Sequence, residues 1–257
     1  MSIYRQTTVR AAKSLPMTET ERKARIELAA AYRIFDMMGW DQLIFNHITL
    51  RVPGTQVRFL INPFGLRYSE VTASNLILID LEGNALRETK WPVNQAGYVI
   101  HSALHGANER VNCVMHTHTT TGMAVACLKD GLSPHNFYGA MLKGKVAYHD
   151  FEGITVDEGE RERLVRDIGD KQAVILRNHG LLAWGPSVPE AFMMLWTLQR
   201  ACDVQIAASA AGVLNPIRPE VFEQTLRESG PGEKRTCEDV FAALVRRVEA
   251  LDPSYRD

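Results

Sequence analysis

Three histidines are the residues in this sequence whose types and spacing best suit chemistry. His116 and His118 stand in Met115-His116-Thr117-His118, at the end of an apolar segment that we predict to be a buried strand. In an extended chain, residues i and i+2 point to the same side, so both imidazoles can face one point. His179, in Arg177-Asn178-His179-Gly180, also follows a predicted buried strand. Gly180 permits a turn there that a residue with a side chain would resist.

Three neutral imidazoles at strand ends would form a facial site for Zn²⁺ or a similar divalent cation, with positions left open for a substrate. The ordinary alternative is that two of these residues are hydrogen-bonded histidines beside a sheet. The H-x-H spacing alone does not decide between the two interpretations.

The elements that must position these histidines are helices and strands in irregular alternation. Thr18 and Glu21 have the spacing of a capping box at the start of a helix that Gly39 ends. Alternating apolar residues over 43–52 predict a strand, and 57–61 predict the return strand of a hairpin. Further strands are predicted at 76–81, 111–115, 173–176 and 181–184, and further helices at 95–107, 119–129, 157–169, 188–208 and 238–251. Residues 212–232 contain three prolines and are predicted to be broken up. This pattern indicates one α/β domain with a mixed or largely antiparallel sheet.

Composition and charge narrow the class of protein. The chain has 257 residues, of which 46% are hydrophobic, so it is not intrinsically disordered. The formal net charge of -1 gives no general field for nucleic acid or for an anionic membrane. The apolar runs are too short to cross a bilayer. The four cysteines lie far apart and form no C-x-x-C pair, which indicates free thiols and a cytoplasmic location. We therefore expect neither nucleic acid nor a membrane as a partner.

Several short motifs, in this order and spacing, resemble the class II aldolase/adducin family. They are Phe45-Asn46-His47-Ile48-Thr49-Leu50-Arg51, Ile61-Asn62-Pro63-Phe64-Gly65, Tyr68-Ser69-Glu70-Val71-Thr72-Ala73-Ser74, Asn94-Gln95-Ala96-Gly97, His116-Thr117-His118 and Arg177-Asn178-His179-Gly180. The resemblance implies a single three-layer α/β/α domain with a mainly antiparallel central sheet. We place that domain at residues 18–212, between a flexible N-terminal tail (1–17) and a C-terminal extension with a terminal helix (213–257).

The resemblance also implies a site for a small-molecule substrate. It implies one divalent metal ion per chain, zinc before manganese or iron, held by His116, His118 and His179. It implies a homotetramer with sites at subunit interfaces, in which Tyr138 of a neighbouring subunit donates a proton. The substrate-binding candidates that correspond to family positions are Asn46, Phe64, Gly65 and Gln95.

Departures from the family pattern shape the expected chemistry. Sugar-phosphate aldolases of this family carry a proton-transferring glutamate where this chain has Gly97. Phe64 stands in place of their phosphate-loop threonine, and Gln95 and Ala96 in place of two serines. A phosphate dianion gains little from a phenyl ring, so we expect a non-phosphorylated carbonyl acid. In these features the chain is closer to the adducin head domain, which is not known as an enzyme.

Two more histidines lie in the motifs. His101 follows Gly97 by one helical turn, so it would either approach the metal or pack between helices. His47 is expected to be structural, because it lies on the opposite face from Asn46.

Three functions remain open on these residues. A metal-dependent lyase would use the ion to stabilise the charge that forms during carbon–carbon cleavage or decarboxylation. A non-haem iron oxygenase would use the same three imidazoles, and a non-catalytic adducin-like binding module would not turn over at all. Adducins act through a long basic tail, and the sequence shows none before Asp257, so we do not expect a cytoskeletal role.

Overall fold

The computed structural model describes residues 16–54, 56–153, 159–228 and 234–257. The tail predicted at 1–17 therefore lies outside the described residues, apart from its last two. The first helix, α1, spans Glu19–Met37. The Thr18 hydroxyl accepts a hydrogen bond from the Glu21 backbone N–H, as the capping box predicted. The Glu21 carboxylate does not complete the box, because it forms a buried ion pair with Arg25 and a second pair with Arg87.

Seven strands form one sheet in the order β3-β2-β1-β4-β7-β6-β5. The sheet is mixed, because β5 runs parallel to β6 while β6 and β7 are antiparallel. The expectation of a mainly antiparallel sheet is thereby corrected. Strand β5 was not predicted, and it adds the parallel pair at one edge. The strands are β1 (Ile48–Arg51), β2 (Phe59–Ile61), β3 (Ile77–Ile79), β4 (Cys113–Thr117), β5 (Val146–His149), β6 (Ala173–Leu176) and β7 (Gly180–Gly185).

The remaining helices are α2 (Gln95–Ala107), α3 (Thr120–Ala126), α4 (Phe137–Met141), α5 (Glu160–Ile168), α6 (Val188–Ala211), α7 (Pro219–Glu228) and α8 (Lys234–Leu251), with short 3-10 turns at Tyr68–Glu70 and Pro253–Arg256. Helix α7 lies in the segment that was predicted to be broken up. That prediction was wrong because Pro219 is the first residue of the helix, where a missing N–H costs little.

Side chains of the two central strands alternate between two apolar layers. In β4, Cys113 and Met115 join a core with α1, α6 and α8, whereas Val114 faces a second core with α2 and α5. In β7, Leu181 belongs to the first core and Leu182 to the second. Helices therefore cover both faces of the sheet, which is the three-layer α/β/α arrangement that the sequence predicted.

The last described residues pack on the first helix. Phe241 and Val248 of α8 and the fully buried Tyr255 belong to the same core as α1. The Tyr255 carbonyl accepts a hydrogen bond from the Ala73 N–H, and Arg33 of α1 pairs with Asp252 at 2.8 Å. Residues 234–257 thus contribute directly to the core.

Two further observations concern the class of protein. None of the helices in the described part of the chain is long and apolar enough to span a bilayer. All four cysteines lie among the described residues as free thiols, and only Cys127 is exposed.

Candidate metal centre

The pairing of β4 with β7 places the three candidate histidines at one end of the sheet. Thr117 pairs with Leu181 at the end of β4, so His116 and His118 lie beside the turn that leads into β7. His179 belongs to that turn. Its left-handed residue is Asn178, with φ of 57°, and not Gly180. The predicted role of Gly180 is therefore corrected.

Gly180 is needed because the backbones approach closely at this point. A Cβ atom at position 180 would lie 2.4 Å from the Thr117 carbonyl oxygen and 3.0 Å from Cδ2 of His118. A residue with a side chain would push the two strands apart at the site itself. The glycine lets the turn that carries His179 lie against the H-x-H segment.

His116, His118 and His179 form what we call the three-histidine cluster. One ligand atom from each imidazole lies within 4.8 Å of the other two. The Nε2 atoms of His116 and His118 are 2.7 Å apart, and the His179 ring centroid lies 4.8 Å from those of both partners. The structure thus brings together the three residues that the sequence singled out.

Hydrogen bonding and burial prepare the cluster for a cation. His116 Nδ1 lies 2.8 Å from the Leu181 carbonyl oxygen, which can only accept, so Nδ1 carries the proton and Nε2 keeps its lone pair. Burial lowers the pKa of His116 and of His118, and it lowers the pKa of His179 to about 4. Neutral imidazoles are the form that binds a metal. The residues present therefore fit a divalent ion.

A small cleft, with room for about one water molecule, opens beside the cluster. His179 lines it together with Phe151, His149 and Arg177, among others. The Phe151 ring centroid lies 6.2 Å from that of His179. His149 is held by Asp167, whose carboxylate lies 2.8 Å from Nδ1. His149, Phe151 and Arg177 were not among the site residues predicted from the sequence, although Arg177 stood in the tetrad that contains His179.

The ring of His47 fills the space beside Gly97. A Cβ atom at position 97 would lie 2.5 Å from Cδ2 and 2.8 Å from Cγ of that ring. The ring centroid of His47 lies 5.3 Å from that of His116. No side chain fits at position 97 while His47 stays where it is. His47 is therefore a neighbour of the cluster, which the sequence analysis missed.

His47 begins a series of buried hydrogen bonds that we call the histidine chain. His47 Nδ1 lies 2.9 Å from His101 Nε2, and His101 Nδ1 lies 2.8 Å from the Thr49 hydroxyl. That hydroxyl lies 2.8 Å from His105 Nε2, and His105 Nδ1 lies 3.0 Å from the Val111 carbonyl oxygen. Both nitrogens of His101 are occupied by these bonds. His101 therefore supports His47 and does not itself present a ligand atom to the cluster.

The predicted substrate-binding residues lie around the loop before β1 and the start of α2. Asn46 is buried; its amide donates to the Trp40 carbonyl, while its Oδ1 has no hydrogen-bond partner among the described residues. The Phe64 ring lies 6.4 Å from that of Phe45, and Gly65 adopts a φ of 104°, which favours glycine. Gln95 is the first residue of α2, and its side chain lies outside the described part of the structure.

Tyr138 lies in α4, where its ring packs edge-on against Trp196 of α6 at 5.4 Å. The neighbouring Phe137 is strongly exposed, at 72%. The predicted role of Tyr138 concerns the site of a neighbouring subunit, so the structure of a single chain does not test it.

The comparisons with known proteins agree with this fold. The model of the class II aldolase and adducin N-terminal domain matches residues 26–206. The chain belongs to this family. The structure of an aldolase II superfamily protein from Pseudomonas syringae superposes with a TM-score of 0.89, at 44% identity over 94% of this chain and 98% of that one.

Two further relatives point in different functional directions. An L-fuculose 1-phosphate aldolase from Glaciozyma antarctica superposes with a TM-score of 0.81, at 31% identity over 95% of this chain and 97% of that one. Alpha-adducin of Rattus norvegicus is 44% identical over 95% of this chain, but over only 35% of its own length. The present chain thus resembles both an enzyme and one part of a larger protein.

Proposed function

We propose that this protein is a divalent-metal-dependent carbon–carbon lyase that cleaves or decarboxylates a small, non-phosphorylated carbonyl acid. The observation that carries the proposal is the three-histidine cluster, whose ligand atoms lie within 4.8 Å of one another beside a cleft. His116, His118 and His179 would hold the ion, with zinc the first choice and manganese or iron the alternatives. A bound divalent ion supplies a Lewis acid that polarises a carbonyl group and stabilises the charge left by cleavage.

The chain's own residues orient and bind in this proposal. The Leu181 carbonyl fixes the tautomer of His116. Arg177 lines the same cleft as His179, where its Nε lies 3.4 Å from an Asp150 carboxylate oxygen, so the carboxylate of an acid would bind this guanidinium by replacing Asp150. Asn46, Phe64, Gly65 and Gln95 form the remaining substrate-binding set. Tyr138 would donate a proton from a neighbouring subunit of a homotetramer.

Gly97 is the reason for placing decarboxylation before aldol cleavage, whereas Phe64, Gln95 and Ala96 are the reason for expecting an unphosphorylated substrate. Position 97 carries no carboxylate to remove a proton from a hydroxy-carbonyl nucleophile, and His47 fills the space beside it. Decarboxylation leaves a carbanion without a separate base. The absence of a general base typically costs about 10²–10⁴-fold in rate.

The direct test is turnover by protein purified with its native metal. A panel of aromatic and aliphatic keto and hydroxy acids should show substrate loss that a chelator abolishes and that zinc or manganese restores. Coupled detection of dihydroxyacetone phosphate release from L-fuculose 1-phosphate tests the activity named for the Glaciozyma antarctica protein. Robust release of that product would replace the carbonyl-acid proposal with a sugar-phosphate aldolase.

Two other functions are tested by the same preparation. The identity with alpha-adducin favours a non-catalytic binding module, and stoichiometric metal without turnover on the whole panel would support it. An iron oxygenase would require iron and would consume O₂ with turnover, which an oxygen electrode measures.

We propose a cytoplasmic location, because all four thiols are free.

The tetramer is tested by light scattering. A monomer at micromolar concentration would remove both the proposed assembly and the role of Tyr138. If the tetramer forms, Tyr138→Phe should lower turnover without changing mass or metal content, whereas Phe137→Leu serves as the neighbouring control.

A further inference from the structure

The direction of every hydrogen bond in the histidine chain follows from its last member. The Val111 carbonyl oxygen can only accept, so Nδ1 of His105 carries a proton and donates. His105 is 1% exposed, and burial lowers its pKa to about 3, so the ring is neutral near pH 7. A neutral ring carries one proton, so His105 Nε2 is an acceptor.

That acceptor determines the next two bonds. Thr49 has a single hydroxyl proton, which it must donate to His105 Nε2. The hydroxyl oxygen is then an acceptor, so Nδ1 of His101 must donate to it. His101 is completely buried and neutral, and its Nε2 is therefore unprotonated.

The same argument reaches His47. Because His101 Nε2 is an acceptor, Nδ1 of His47 must carry a proton and donate to it across 2.9 Å. The His47 ring is 4% exposed and faces no carboxylate in its hydrogen bond to His101, so it carries the single proton on Nδ1 and its remaining nitrogen, Nε2, keeps a lone pair. None of the described residues donates a hydrogen bond to that nitrogen. The imidazole lies beside His116, in the space that Gly97 leaves open.

We propose that His47 is a fourth polar group of the site, whose Nε2 accepts a hydrogen bond from the hydroxyl group of a bound hydroxy acid. The histidine chain makes this nitrogen an acceptor, because the Val111 carbonyl determines which atom donates in each successive hydrogen bond, through His105, Thr49 and His101. Its far end is an amide carbonyl, which does not take up a proton. The chain is therefore a positioning device and not a path along which a proton leaves the site.

Gly97 has a specific structural role in this arrangement, because it leaves the space that the His47 ring occupies. Any side chain at position 97 would collide with the His47 ring, so the glycine is the condition for a histidine acceptor at this place. The ligand class rests on the proposed function, because the hydroxy acid is expected to bind at the three-histidine cluster. The orientation of His47 does not rest on it and is tested separately.

Nitrogen NMR of protein labelled with ¹⁵N in histidine tests the orientation without any substrate or metal. In the metal-free wild type, His47 should show a protonated Nδ1 and an unprotonated Nε2, with its signals assigned by their loss in His47→Phe. Thr49→Val removes the hydroxyl group that links His101 to His105, so the fraction of His47 in the Nδ1–H tautomer should fall. Thr49→Ser keeps a hydroxyl group and should keep that fraction at the wild-type level. A protonated Nε2 in the wild type, or no change in Thr49→Val, would overturn the proposal.

Binding of two probes to zinc-loaded protein tests the role. Glycolate and acetate differ by one hydroxyl group, and calorimetry measures the ratio of their affinities. The affinity for glycolate divided by that for acetate should fall by about 2- to 10-fold in His47→Phe and in Thr49→Val, which corresponds to the loss of one neutral hydrogen bond. It should not fall in Thr49→Ser. An unchanged ratio in both variants would contradict the role of His47. If the protein bound no zinc, the proposed function would fail while the NMR result would still decide the orientation.

Discussion

Two groups of histidines lie side by side in this protein and have opposite hydrogen-bonding states. In the three-histidine cluster, ligand atoms converge on one another, and the Nε2 atoms of His116 and His118 lie only 2.7 Å apart. In the histidine chain, both nitrogens of His101 and of His105 have partners. The same side chain thus serves as a ligand when its lone pairs converge and as a support when its bonds are completed within the protein.

The difference also explains which group depends on an added ion. The cluster brings one ligand atom from each of three imidazoles within 4.8 Å of the others, so a cation is its natural partner. Within the chain each bond from His47 Nδ1 to the Val111 carbonyl has a donor and an acceptor, which leaves its open end at His47 Nε2. Changes in the first group should therefore alter metal binding, and changes in the second should alter stability and the geometry of the site.

The largest expected effect is loss of the metal from the cluster. His116→Ala and His179→Ala should reduce metal content from one ion per chain to near zero, as measured by elemental analysis of protein purified without added metal. Metal at a thousand times its dissociation constant stabilises the fold by about 4 kcal/mol, so both variants should also melt at lower temperature. His135→Ala, which changes a histidine outside both groups, is the control. Unchanged metal content in His116→Ala would exclude the site.

The next effect concerns the contact between Gly97 and His47. Gly97→Ala should destabilise the protein by about 1–3 kcal/mol through overpacking, and Gly97→Glu by at least as much. Gly106→Ala is the matched control in the same helix, since its Cβ would lie 3.6 Å from Leu81, an ordinary contact. That variant should be neutral or stabilising by up to about 1 kcal/mol. Urea denaturation measures all of them.

A double variant decides whether the clash with His47 is the cause. His47→Ala combined with Gly97→Ala should cost less than the sum of the two single changes, by about 0.5–3 kcal/mol. The same relief makes His47→Ala with Gly97→Glu the sound test of a restored carboxylate, because Gly97→Glu alone disturbs the fold. Strict additivity would show that the two positions do not compete for space.

The smallest effect is a dependence of stability on pH through His105. Burial lowers the pKa of His105 from 6.5 to about 3 in the folded protein. Between these values the unfolded chain binds a proton that the folded chain does not, so the free energy of unfolding falls as pH is lowered through 6.5. His105→Gln should reduce that slope by up to about 1.4 kcal/mol per pH unit, in urea denaturation between pH 7 and pH 5.

A second variant separates this titration from the loss of hydrogen bonds. Thr49→Val keeps both neighbouring histidines and should lower stability by about 1–3 kcal/mol at every pH, because it leaves buried polar groups unpaired. An equal pH slope in wild type and in His105→Gln would show that His105 is not the group that titrates.

The sequence was sufficient where local patterns decide the structure. Helix α2 begins and ends where it was predicted, since Asn94 caps its first turn with a side-chain hydrogen bond to the Gly97 N–H. The H-x-H pattern at the end of a buried strand correctly placed two imidazoles at one point, because β geometry alone requires it.

Contacts between distant segments were outside the reach of such patterns. Gly97 was noted as a missing carboxylate, but nothing local indicates that the ring of His47 occupies the space. Gly180 was correctly marked as special for the wrong reason, because the close approach of the Thr117 carbonyl comes from strand pairing. The edge strand β5 was missed because only alternate residues of it are buried, whereas β6, which is also four residues long, is buried throughout.

The pairing of β4 with β7 also has a consequence for the order of events in folding. The two strands are separated along the chain by α3, α4, β5, α5 and β6, so bringing them together requires closure of a long loop. The entropic cost of that closure grows as about (3/2)RT ln n, and pairings between distant segments form slowly. His118 and His179 reach each other only after this closure. If a refolding chain is mixed with zinc and a competing fluorescent chelator, binding of zinc by the protein should therefore occur later than helix formation. The rate of zinc binding would then report the rate at which β4 pairs with β7.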